Sequence, residues 1–334
     1  MIDNLYLPSG YLDMGAVLRD RHPYIFISSA RGPGKTFGSL SESVNMGLKF
    51  IYFRRTAKML AFTLSDLYHP YVDINNVLGW DVRPVKTEDM GYFVKGEHDI
   101  IGYAGALSTF ANARGISGSE IKLMILDEFI PAKFERKMFN AYEAWAAAYE
   151  SINRNREFDG SPPLKALFLS NSDDIYSDII AGFGLGDIYR DMQRNGEEQR
   201  EVGEHILIIR PQAIAFREKK EKTALYQVMA GTDFSEMYLN NNFAFEDEGQ
   251  IWRRPLREYK PLAAIAGICI YQHKSSDRYY ISAHISGSPK TYENTDADRR
   301  RFLREQGALL KAYMRRGVDY EGVNVQTIFR DLFK

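Results

Sequence analysis

The sequence predicts an α/β protein with a parallel central sheet, followed by a linker and a small α+β domain. Short apolar runs alternate with helix-compatible segments through about residue 200, a pattern typical of a parallel sheet that helices cover on both faces. A glycine-rich loop follows the first apolar run, and a later run ends in two adjacent carboxylates. The loop and the acidic strand together predict a nucleotide-binding domain.

Length and composition agree with two domains. The chain has 334 residues, of which 45% are hydrophobic and 13% aromatic. That is long for one domain, and the apolar content is ample for packed cores. We predict a nucleotide-binding domain over residues 1–200, a linker over residues 201–246 and a C-terminal domain over residues 247–334.

Redox and targeting signals favour a soluble, intracellular protein. The single cysteine, Cys269, excludes a disulfide within the chain and lies in an apolar run, so we expect a small buried hydrophobe in a reducing compartment. No basic N-terminal segment precedes an apolar stretch, and the longest apolar run, around residues 261–271, is too short to cross a bilayer. We therefore expect no membrane partner.

The first strand and the loop after it have the composition of a phosphate-binding loop. The strand Tyr24-Ile25-Phe26-Ile27 leads into the run Ser29-Ala30-Arg31-Gly32-Pro33-Gly34-Lys35-Thr36. Gly32 and Gly34 let successive backbone N–H groups point at phosphate oxygens, Lys35 reaches the outer phosphates, and the Thr36 hydroxyl binds Mg²⁺. Ser29 replaces the first glycine of the usual motif, which a backbone at negative φ tolerates.

The strand over residues 121–130 supplies the predicted hydrolytic groups. It is apolar on both faces, as a central parallel strand is, and it contains Asp127-Glu128. Asp127 would hold Mg²⁺ through water, and Glu128 would polarise the attacking water. A buried strand that ends in solvated acids is the alternative, and the phosphate loop upstream favours the catalytic interpretation.

Polar residues lie on either side of the next predicted strand, over residues 164–169. Ser170-Asn171 follows it, where an amide could sense the terminal phosphate; a turn or helix cap accounts for the same residues. A helix predicted over residues 137–152 ends just before Arg154 and Arg156. An exposed arginine there suits an arginine finger offered to a neighbouring subunit, and a solvated charge near a helix C-terminus fits equally well.

Two further features complete the predicted first domain. Residues 50–53 form a second core strand, and residues 91–103 alternate around Gly96-Glu97 as an inserted hairpin. The second strand is followed by Arg54, Arg55 and Lys58, at a place where loops gather around ligands in α/β sheets. These three are candidate contacts to DNA or nucleotide, with ordinary surface charge the alternative for Lys58.

The remaining segments predict a helical linker and a small domain. Residues 217–229 have the pattern of a charged amphipathic helix that could lever one domain against another. Residues 263–272 and 278–285 predict a β-hairpin around Ser275-Ser276-Asp277, and residues 296–316 predict a basic helix.

Charge is distributed unevenly between the two predicted domains. The net charge of -1 gives no general attraction to phosphate, but the residues from Asp247 onward include 16 Lys and Arg against 11 Asp and Glu. The basic clusters there are Arg253-Arg254, Arg299-Arg300-Arg301 and Arg315-Arg316. A nucleic-acid surface and the solvated faces of helices account for them equally well.

The motifs, and their order along the chain, resemble those of the DNA-packaging ATPases, or encapsidation proteins, of small phages of the phi29 type. That family belongs to the terminase and ASCE group of ring-forming P-loop motors. The resemblance covers nearly the whole chain and is weaker after Phe245. It rests on the phosphate loop with Arg31, Phe50-Ile51-Tyr52-Phe53-Arg54-Arg55, Asp127-Glu128-Phe129-Ile130, Arg154-Asn155-Arg156-Glu157 before Leu169-Ser170-Asn171, and Gly231-Thr232-Asp233-Phe234-Ser235-Glu236-Met237.

The resemblance implies an ATP-driven motor that moves double-stranded viral DNA into a preformed procapsid in the host cytoplasm. It implies ATP and Mg²⁺ as cofactors and a homomeric ring, by resemblance a pentamer, at the portal vertex of the procapsid. Whether a structural RNA joins the assembly stays open. The implied catalytic residues are Arg31, Lys35, Glu128 and Arg154, the last acting on a neighbouring subunit, with Arg156 as the alternative finger.

The C-terminal domain is implied to be a reduced relative of the RNase H-like nuclease of terminases. An uncharged run over residues 263–271 stands where the first acid of such a nuclease is expected. Asp296 and Asp298 fit the start of a helix, so we expect no nuclease activity.

Two other functions remain as alternatives. One is a different P-loop nucleic-acid motor, such as a helicase, and the other is a catalytically silent P-loop scaffold that binds nucleic acid or portal protein. A GTPase is disfavoured because the sequence has no Asn-Lys-x-Asp motif to read the base.

Overall fold

A computed structural model describes residues 1–29, 31–110, 118–130, 138, 140–171, 177–212, 214–230, 232 and 250–333. The chain divides into two compact units. The first comprises Met1–Ile179 and Met192–Phe243, and the second comprises Ile180–Asp191 and Ala244–Lys334.

A nine-stranded sheet organises the first unit. Its strands are β1 (Tyr24–Ser28), β2 (Phe50–Arg54), β3 (Val82–Lys86), β4 (Gly91–Lys95), β5 (Asp99–Ala106), β6 (Leu123–Asp127), β7 (Lys165–Ser170), β8 (Gln199–Val202) and β9 (Ile206–Ile209). Their spatial order is β3-β4-β5-β2-β6-β7-β1-β9-β8. The strands from β5 to β9 in this order run parallel, and antiparallel pairs form both edges. The predicted hairpin over residues 91–103 is confirmed as β4 and β5.

The helices before residue 230 are short. They are α1 (Met14–Arg19), α2 (Lys35–Asn45), α3 (Ala57–Thr63), α4 (Tyr71–Leu78), α5 (Ala141–Asn153), α6 (Asp178–Gly182), α7 (Gly186–Asn195), α8 (Ile214–Glu221) and α9 (Ala224–Val228). Within the described ranges, no helix in either unit has the length and apolar character that a membrane crossing needs.

Burial on both faces explains why the central strands are continuously apolar. Ile25, Phe26 and Ile27 of β1 are all fully buried, which requires cover on both sides of the sheet. On one face Phe26 stacks on Phe168 with ring centroids 4.1 Å apart, and it meets Phe129 edge to face. These contacts hold β1 and β7 side by side.

The strand order decides which loops meet at the carboxyl edge of the sheet. β7 lies between β1 and β6, with Ser28 opposite Ser170 and Asp127 opposite Leu169. Because the carboxyl ends of parallel strands share one edge, the residues that follow β1, β6 and β7 converge there.

Several predicted boundaries in the first unit differ from the structure. The predicted linker began at residue 201, but β9 pairs with β1 and is buried, so the sheet continues through Ile209. The charged helix predicted over residues 217–229 is two helices, α8 and α9, separated at Lys222 and Thr223. The helix predicted over residues 137–152 begins at Ala141, and residues 131–137 and 139 lie outside the described part.

A mixed five-stranded sheet organises the second unit. Its strands are β10 (Tyr259–Ile265), β11 (Ile268–His273), β12 (Tyr279–Ser282), β13 (Lys290–Thr291) and β14 (Val318–Tyr320), in the spatial order β13-β10-β11-β12-β14. The middle three strands are antiparallel, and β13 and β14 run parallel to their neighbours. The helices are α10 (Asp296–Glu305), α11 (Gly307–Met314) and α12 (Val323–Asp331).

The core of the second unit lies against one face of this sheet, and a smaller aromatic cluster lies on the other. The larger cluster includes Ile268, Phe302 and Phe329, all fully buried. The smaller includes Tyr271 and Cys269, which confirms the predicted burial of the only cysteine. Burial also raises the pKa of the Cys269 thiol, which keeps it protonated and unreactive.

Two predicted elements of the second unit are interrupted in the structure. Residues 263–272 are not one strand, because Ala266 and Gly267 have φ of 50° and 76° and form the turn between β10 and β11. The predicted turn over residues 275–277 is confirmed between β11 and β12. The basic helix predicted over residues 296–316 is divided at Gln306 into α10 and α11.

Candidate nucleotide-binding site

The loop between β1 and α2 has the backbone conformation that a phosphate-binding loop needs. Gly32 and Gly34 have φ of +117° and +86°, which other residues rarely adopt. Ser29 does not have a positive φ, so the serine at this position fits the loop, as expected. Gly34 is also the residue before α2, and the loop therefore ends at the positive end of a helix dipole. Ala30, also predicted to bind nucleotide, lies outside the described residues.

Lys35 is held by polar groups from the loop and from the end of β7. Its side chain is buried, and its Nζ donates to the Ser29 Oγ at 2.7 Å and to the Asn171 Oδ1 at 3.0 Å. The Ser29 N–H in turn donates to the Ser170 carbonyl. The structure thus brings the predicted sensor residues directly to the lysine of the phosphate loop.

Thr36 and Asp127 form the part of the site that fits a divalent cation. The Thr36 Oγ1 donates to the Asp127 Oδ2 at 3.2 Å, so two oxygen groups lie side by side at the end of β6. Mg²⁺ in nucleotide sites is held by one or two protein oxygens, with phosphates and water completing its shell. The described residues include no cluster of three or more acidic, His or Cys ligands, and this pair fits a cation shared with a nucleotide.

Arg54 joins the candidate metal ligand Asp127 to the candidate base Glu128. Its Nη1 lies 3.2 Å from the Asp127 Oδ2 and its Nη2 lies 2.5 Å from the Glu128 Oε2. The Tyr52 hydroxyl also donates to the Asp127 Oδ2. Parallel pairing of β2 with β6 places these groups together, and the result is a partly buried ion-pair cluster.

The electrostatics of this cluster fix the protonation states of Arg54 and Tyr52. Burial alone would lower the pKa of the Arg54 guanidinium, but Tyr52, Asp127 and Glu128 outweigh it and raise that pKa. Burial, followed by the charge of Asp127, raises the pKa of the Tyr52 hydroxyl well above its ordinary value. Tyr52 therefore remains a hydrogen-bond donor, and Arg54 remains a cation at neutral pH.

The candidate general base occupies a strained backbone position. Glu128 has a φ of 54°, a region that costs a non-glycine residue energy and is found at functional sites. Its carbonyl accepts a hydrogen bond from the Arg55 Nε at 2.8 Å, and its N–H donates to the Asp127 Oδ1 at 3.0 Å. In this conformation the Glu128 Oε2 is paired with the Arg54 guanidinium.

These contacts bear on the predicted contacts to DNA or nucleotide. Arg54 and Arg55 have their guanidinium groups engaged with the acidic segment, and Arg55 is buried. In this conformation both side chains are engaged within the subunit, and their contact with DNA or nucleotide stays a prediction. Lys58, in α3, is exposed and stays a candidate. The residues next to Arg54 and Arg55 in the sequence do not indicate these contacts, because the partners lie at the end of a different strand, β6.

The structure distinguishes the two candidate fingers. The Arg156 guanidinium donates to the carbonyls of Gly118, Ile121, Ile152 and Asn153 at 3.0 to 3.1 Å, so it fastens the end of α5 to the segment before β6. Arg154 is exposed and has a φ of 48°. The Arg156 guanidinium is thus engaged within its own subunit, whereas the Arg154 side chain is exposed and its Nε donates to the Ser151 carbonyl at 3.3 Å.

The place of the segment 153–156 relative to the sheet limits which nucleotide Arg154 can reach. Asn153 accepts from the N–H of Leu164, just before β7, and Arg156 binds carbonyls just before β6. This segment therefore lies at the amino edge of the sheet, and the phosphate loop lies at the carboxyl edge. The two edges are separated by the length of a five-residue strand, about 17 Å. Arg154 is too far from the phosphate loop of its own subunit to contact a nucleotide there.

At the carboxyl edge the structure therefore assembles most of the predicted groups. Lys35, Thr36, Asp127, Glu128 and Asn171 are joined by direct contacts or adjacency. Arg31, a predicted catalytic residue, is on the same loop and is exposed.

Sequence reasoning missed Tyr52 as part of the site. The sequence did offer a signal for this role: Tyr52 carries a hydroxyl in an otherwise apolar strand, and two arginines follow that strand.

Comparison with known proteins finds similarity to phage packaging proteins. Residues 9–266 match the family model of the Podovirus DNA encapsidation protein (Gp16). The chain is 23% identical over 237 residues to a DNA packaging protein of Bacillus phage phi29, and 24% identical to that of Bacillus phage B103. Each match covers 69% of this chain. The match spans 64% of the length of the phi29 relative, less than two thirds of it.

Two solved structures share the fold over nearly the whole chain. The Phi-28 gp11 DNA packaging motor superimposes with a TM-score of 0.67 at 16% identity, over 98% of this chain and 96% of the other. The bacteriophage Phi-29 viral genome packaging motor assembly gives 0.66 at 19% identity, over 97% and 98%. At these identities the similarity establishes the fold alone.

Proposed function

The chain belongs to the podovirus DNA encapsidation protein family, and from this premise we propose that it is an ATPase motor that moves double-stranded phage DNA into a preformed procapsid. One observation carries the proposal. At one edge of the sheet, Lys35 contacts Asn171, Thr36 contacts Asp127, and Glu128 follows Asp127 directly. Phosphate, cation and water-activating groups are thus adjacent, as phosphoryl transfer requires.

The chain's own residues have separate tasks in this proposal. Lys35 exchanges its contacts with Ser29 and Asn171 for the outer phosphates of ATP, which leaves the Asn171 amide beside the terminal phosphate. Glu128 separates from Arg54 and polarises the attacking water. Thr36 and Asp127 hold Mg²⁺, which when bound neutralises charge on the phosphates.

The Arg54 contacts suggest how turnover is controlled in this scheme. The Glu128 Oε2 is paired with Arg54 at 2.5 Å, so in this conformation that oxygen is engaged with a cation and not with water. Any movement of β2 or of the segment after it that withdraws Arg54 releases the acid, so hydrolysis depends on the conformation of that segment.

The assembly that we propose is a ring of identical subunits, five by resemblance, at the portal vertex of the procapsid in the host cytoplasm. Because Arg154 lies at the edge opposite its own phosphate loop, a ring lets it serve the next subunit's nucleotide. Double-stranded DNA is the substrate that moves, and Lys58 is a candidate contact. The first unit would be an ASCE-type domain, since β7 separates the phosphate-loop strand from the acidic strand, and the second a reduced RNase H-like domain.

ATP hydrolysis with and without double-stranded DNA tests the proposal. We expect hydrolysis that DNA stimulates, and we expect added procapsids and ATP to make the DNA resistant to DNase. The Lys35→Ala protein should give neither result. Unwinding of a forked duplex without procapsids would favour a helicase, and DNA binding with no hydrolysis in the presence of procapsids would favour a scaffold.

We also expect that the second unit does not cut DNA. The acid in its sheet, Asp319, has an almost fully buried side chain, and its two oxygens pair with Arg254 and Arg278 at 2.8 Å each. Asp296 and Asp298 lie in the first turn of α10, and Asp298 pairs with Arg301. These acids are engaged or dispersed, and two-metal cleavage needs carboxylates clustered around ions about 4 Å apart.

Incubation of the purified protein with plasmid and Mg²⁺ or Mn²⁺ should leave the plasmid intact. The variants Asp296→Ala and Asp298→Ala identify a nuclease within this chain, and Lys35→Ala separates it from ATP-dependent effects. Cleavage that persists in Lys35→Ala but is lost in the two aspartate variants would show that the second unit is an active nuclease.

A further inference from the structure

Two aromatic rings lie against the two glycines of the phosphate loop. The Phe216 Cζ lies 2.0 Å from the position that a Cβ on Gly32 would occupy, and the Tyr11 Cδ1 lies 3.2 Å from the corresponding position on Gly34. Phe216 belongs to α8, after the last parallel strand, and Tyr11 precedes α1. One segment that precedes the phosphate loop in the sequence and one that follows it therefore each place an aromatic ring against this loop.

The two rings are partly solvent-accessible and face each other. Their centroids are 6.1 Å apart and their planes are inclined by 49°. Tyr11 is 45% exposed, and Phe216 is only partly buried. A side chain that packs in the core would be covered by its neighbours, whereas these rings form a small aromatic surface beside the loop.

Backbone and lysine contacts hold both rings in place. The Leu12 N–H donates to the Pro33 carbonyl at 3.0 Å, and Leu12 is buried, which fixes the neighbouring Tyr11 at the loop. On the other side the Lys220 Nζ donates to the Arg31 carbonyl at 3.2 Å, which fastens α8 there. The exposed rings are thus positioned by the phosphate loop itself.

We propose that Tyr11 and Phe216 form the base subsite of the nucleotide site and stack on the purine ring of ATP. The inference rests on the proposed nucleotide site, because phosphates in the loop would place the base of the same nucleotide beside it. The rings offer a neutral, planar surface on which a nucleotide base can stack, and they carry no charge that would bind a phosphate.

The geometry requires only a small rearrangement. A base held between two parallel rings needs about 7 Å between them, twice the carbon contact distance of about 3.5 Å. The rings must therefore separate by about an ångström from their 6.1 Å spacing and turn parallel. Tyr11 is the more exposed of the two rings, and in this proposal it is the ring that moves.

The chemistry predicts a preference for purine nucleotides over bare triphosphate. Stacking of a base on an aromatic side chain contributes a roughly five-fold to hundred-fold gain in affinity. A purine offers more stacking area than a pyrimidine, so ATP should bind more tightly than CTP. Inorganic tripolyphosphate, which has the phosphates without the base, should use the loop and Lys35 only.

Calorimetric titration with ATP and with tripolyphosphate, both with Mg²⁺, tests the subsite on the full-length chain. We expect Phe216→Ala and Tyr11→Ala each to weaken ATP binding about ten-fold, with tripolyphosphate binding unchanged. Tyr11→Phe and Phe216→Tyr should retain ATP affinity because they keep the ring. Phe62→Ala removes an aromatic ring of similar exposure, 59%, from α3 and serves as the matched control.

The two ligands separate the possible results. Equal losses for ATP and tripolyphosphate in Phe216→Ala would mean that the ring only shapes the loop, and unchanged ATP affinity in both alanine variants would remove the subsite. Lys35→Ala should lose both ligands. If Lys35→Ala binds both normally, the phosphate site itself is misplaced, which is a failure of the proposed function and distinct from a failure of the base subsite.

Discussion

Replacing Glu128 by glutamine is expected to abolish ATP turnover while ATP remains bound. The amide has nearly the same shape as the carboxylate but cannot accept a proton from water, and loss of a general base slows catalysis roughly a hundred-fold or more. The variant also loses the ion pair of Glu128 with Arg54. Asp127 still pairs with Arg54, so the guanidinium is not left without a carboxylate.

Lys35→Ala should produce the opposite defect, a loss of ATP binding. Lys35 provides the cation that faces the outer phosphates, and its removal leaves the phosphate loop with backbone donors only. Nucleotide affinity and steady-state hydrolysis, measured for both variants, distinguish the binding role from the catalytic one. Thermal unfolding of each protein shows that the fold is retained.

An acid outside the site gives the matched control for Glu128→Gln. Glu120 forms an exposed ion pair with Lys49 at 2.8 Å, and Glu120→Gln should leave both affinity and turnover unchanged because such pairs contribute little. Hydrolysis at the wild-type rate by Glu128→Gln would remove Glu128 from the role of base.

Arg154→Ala is expected to reduce hydrolysis about a thousand-fold or more, because an arginine finger offsets charge in the transition state. Because Arg154 is exposed at the amino edge of the sheet, we expect the affected nucleotide to belong to the neighbouring subunit. ATP affinity should change little, since the loss is specific to the transition state.

Mixing two inactive proteins tests the action in trans. Arg154→Ala subunits retain an intact base, and Glu128→Gln subunits retain an intact finger, so an interface that combines them is complete. With equal amounts in randomly mixed rings, about a quarter of the interfaces contain both groups, since head-to-tail contacts pair each site with one neighbour. Hydrolysis by the mixture should therefore exceed that of either component clearly.

The double variant Glu128→Gln with Arg154→Ala is the control for mixing. Combined with Glu128→Gln subunits it offers no intact base, and activity should stay absent. Mixed rings demonstrated by native mass measurement, but with no more activity than their components, would exclude a finger in the neighbouring subunit. Arg156→Ala should instead lower the melting temperature, because its side chain binds four backbone carbonyls.

The sequence by itself determined the elements whose requirements are local. The phosphate loop needs glycines at positive φ, and Gly32 and Gly34 have it. Continuous apolar runs indicated strands buried on both faces, and β1, β6 and β7 are so buried. Two interruptions were missed, the turn at Ala266 and Gly267 between β10 and β11 and the break at Gln306 between α10 and α11, because a single glycine was the only local signal at each.

Only the tertiary structure decided which distant side chains meet. Arg54 is the last residue of β2, a position where a contact to DNA, to nucleotide or to a carboxylate fits equally. Parallel pairing of β2 with β6 brought it to Asp127 and Glu128. The roles of Arg154 and Arg156 separated for the same reason, since the carbonyls that bind Arg156 come partly from another segment. Local backbone preferences are encoded within a few residues, whereas ion pairs depend on strand order, which no single segment specifies.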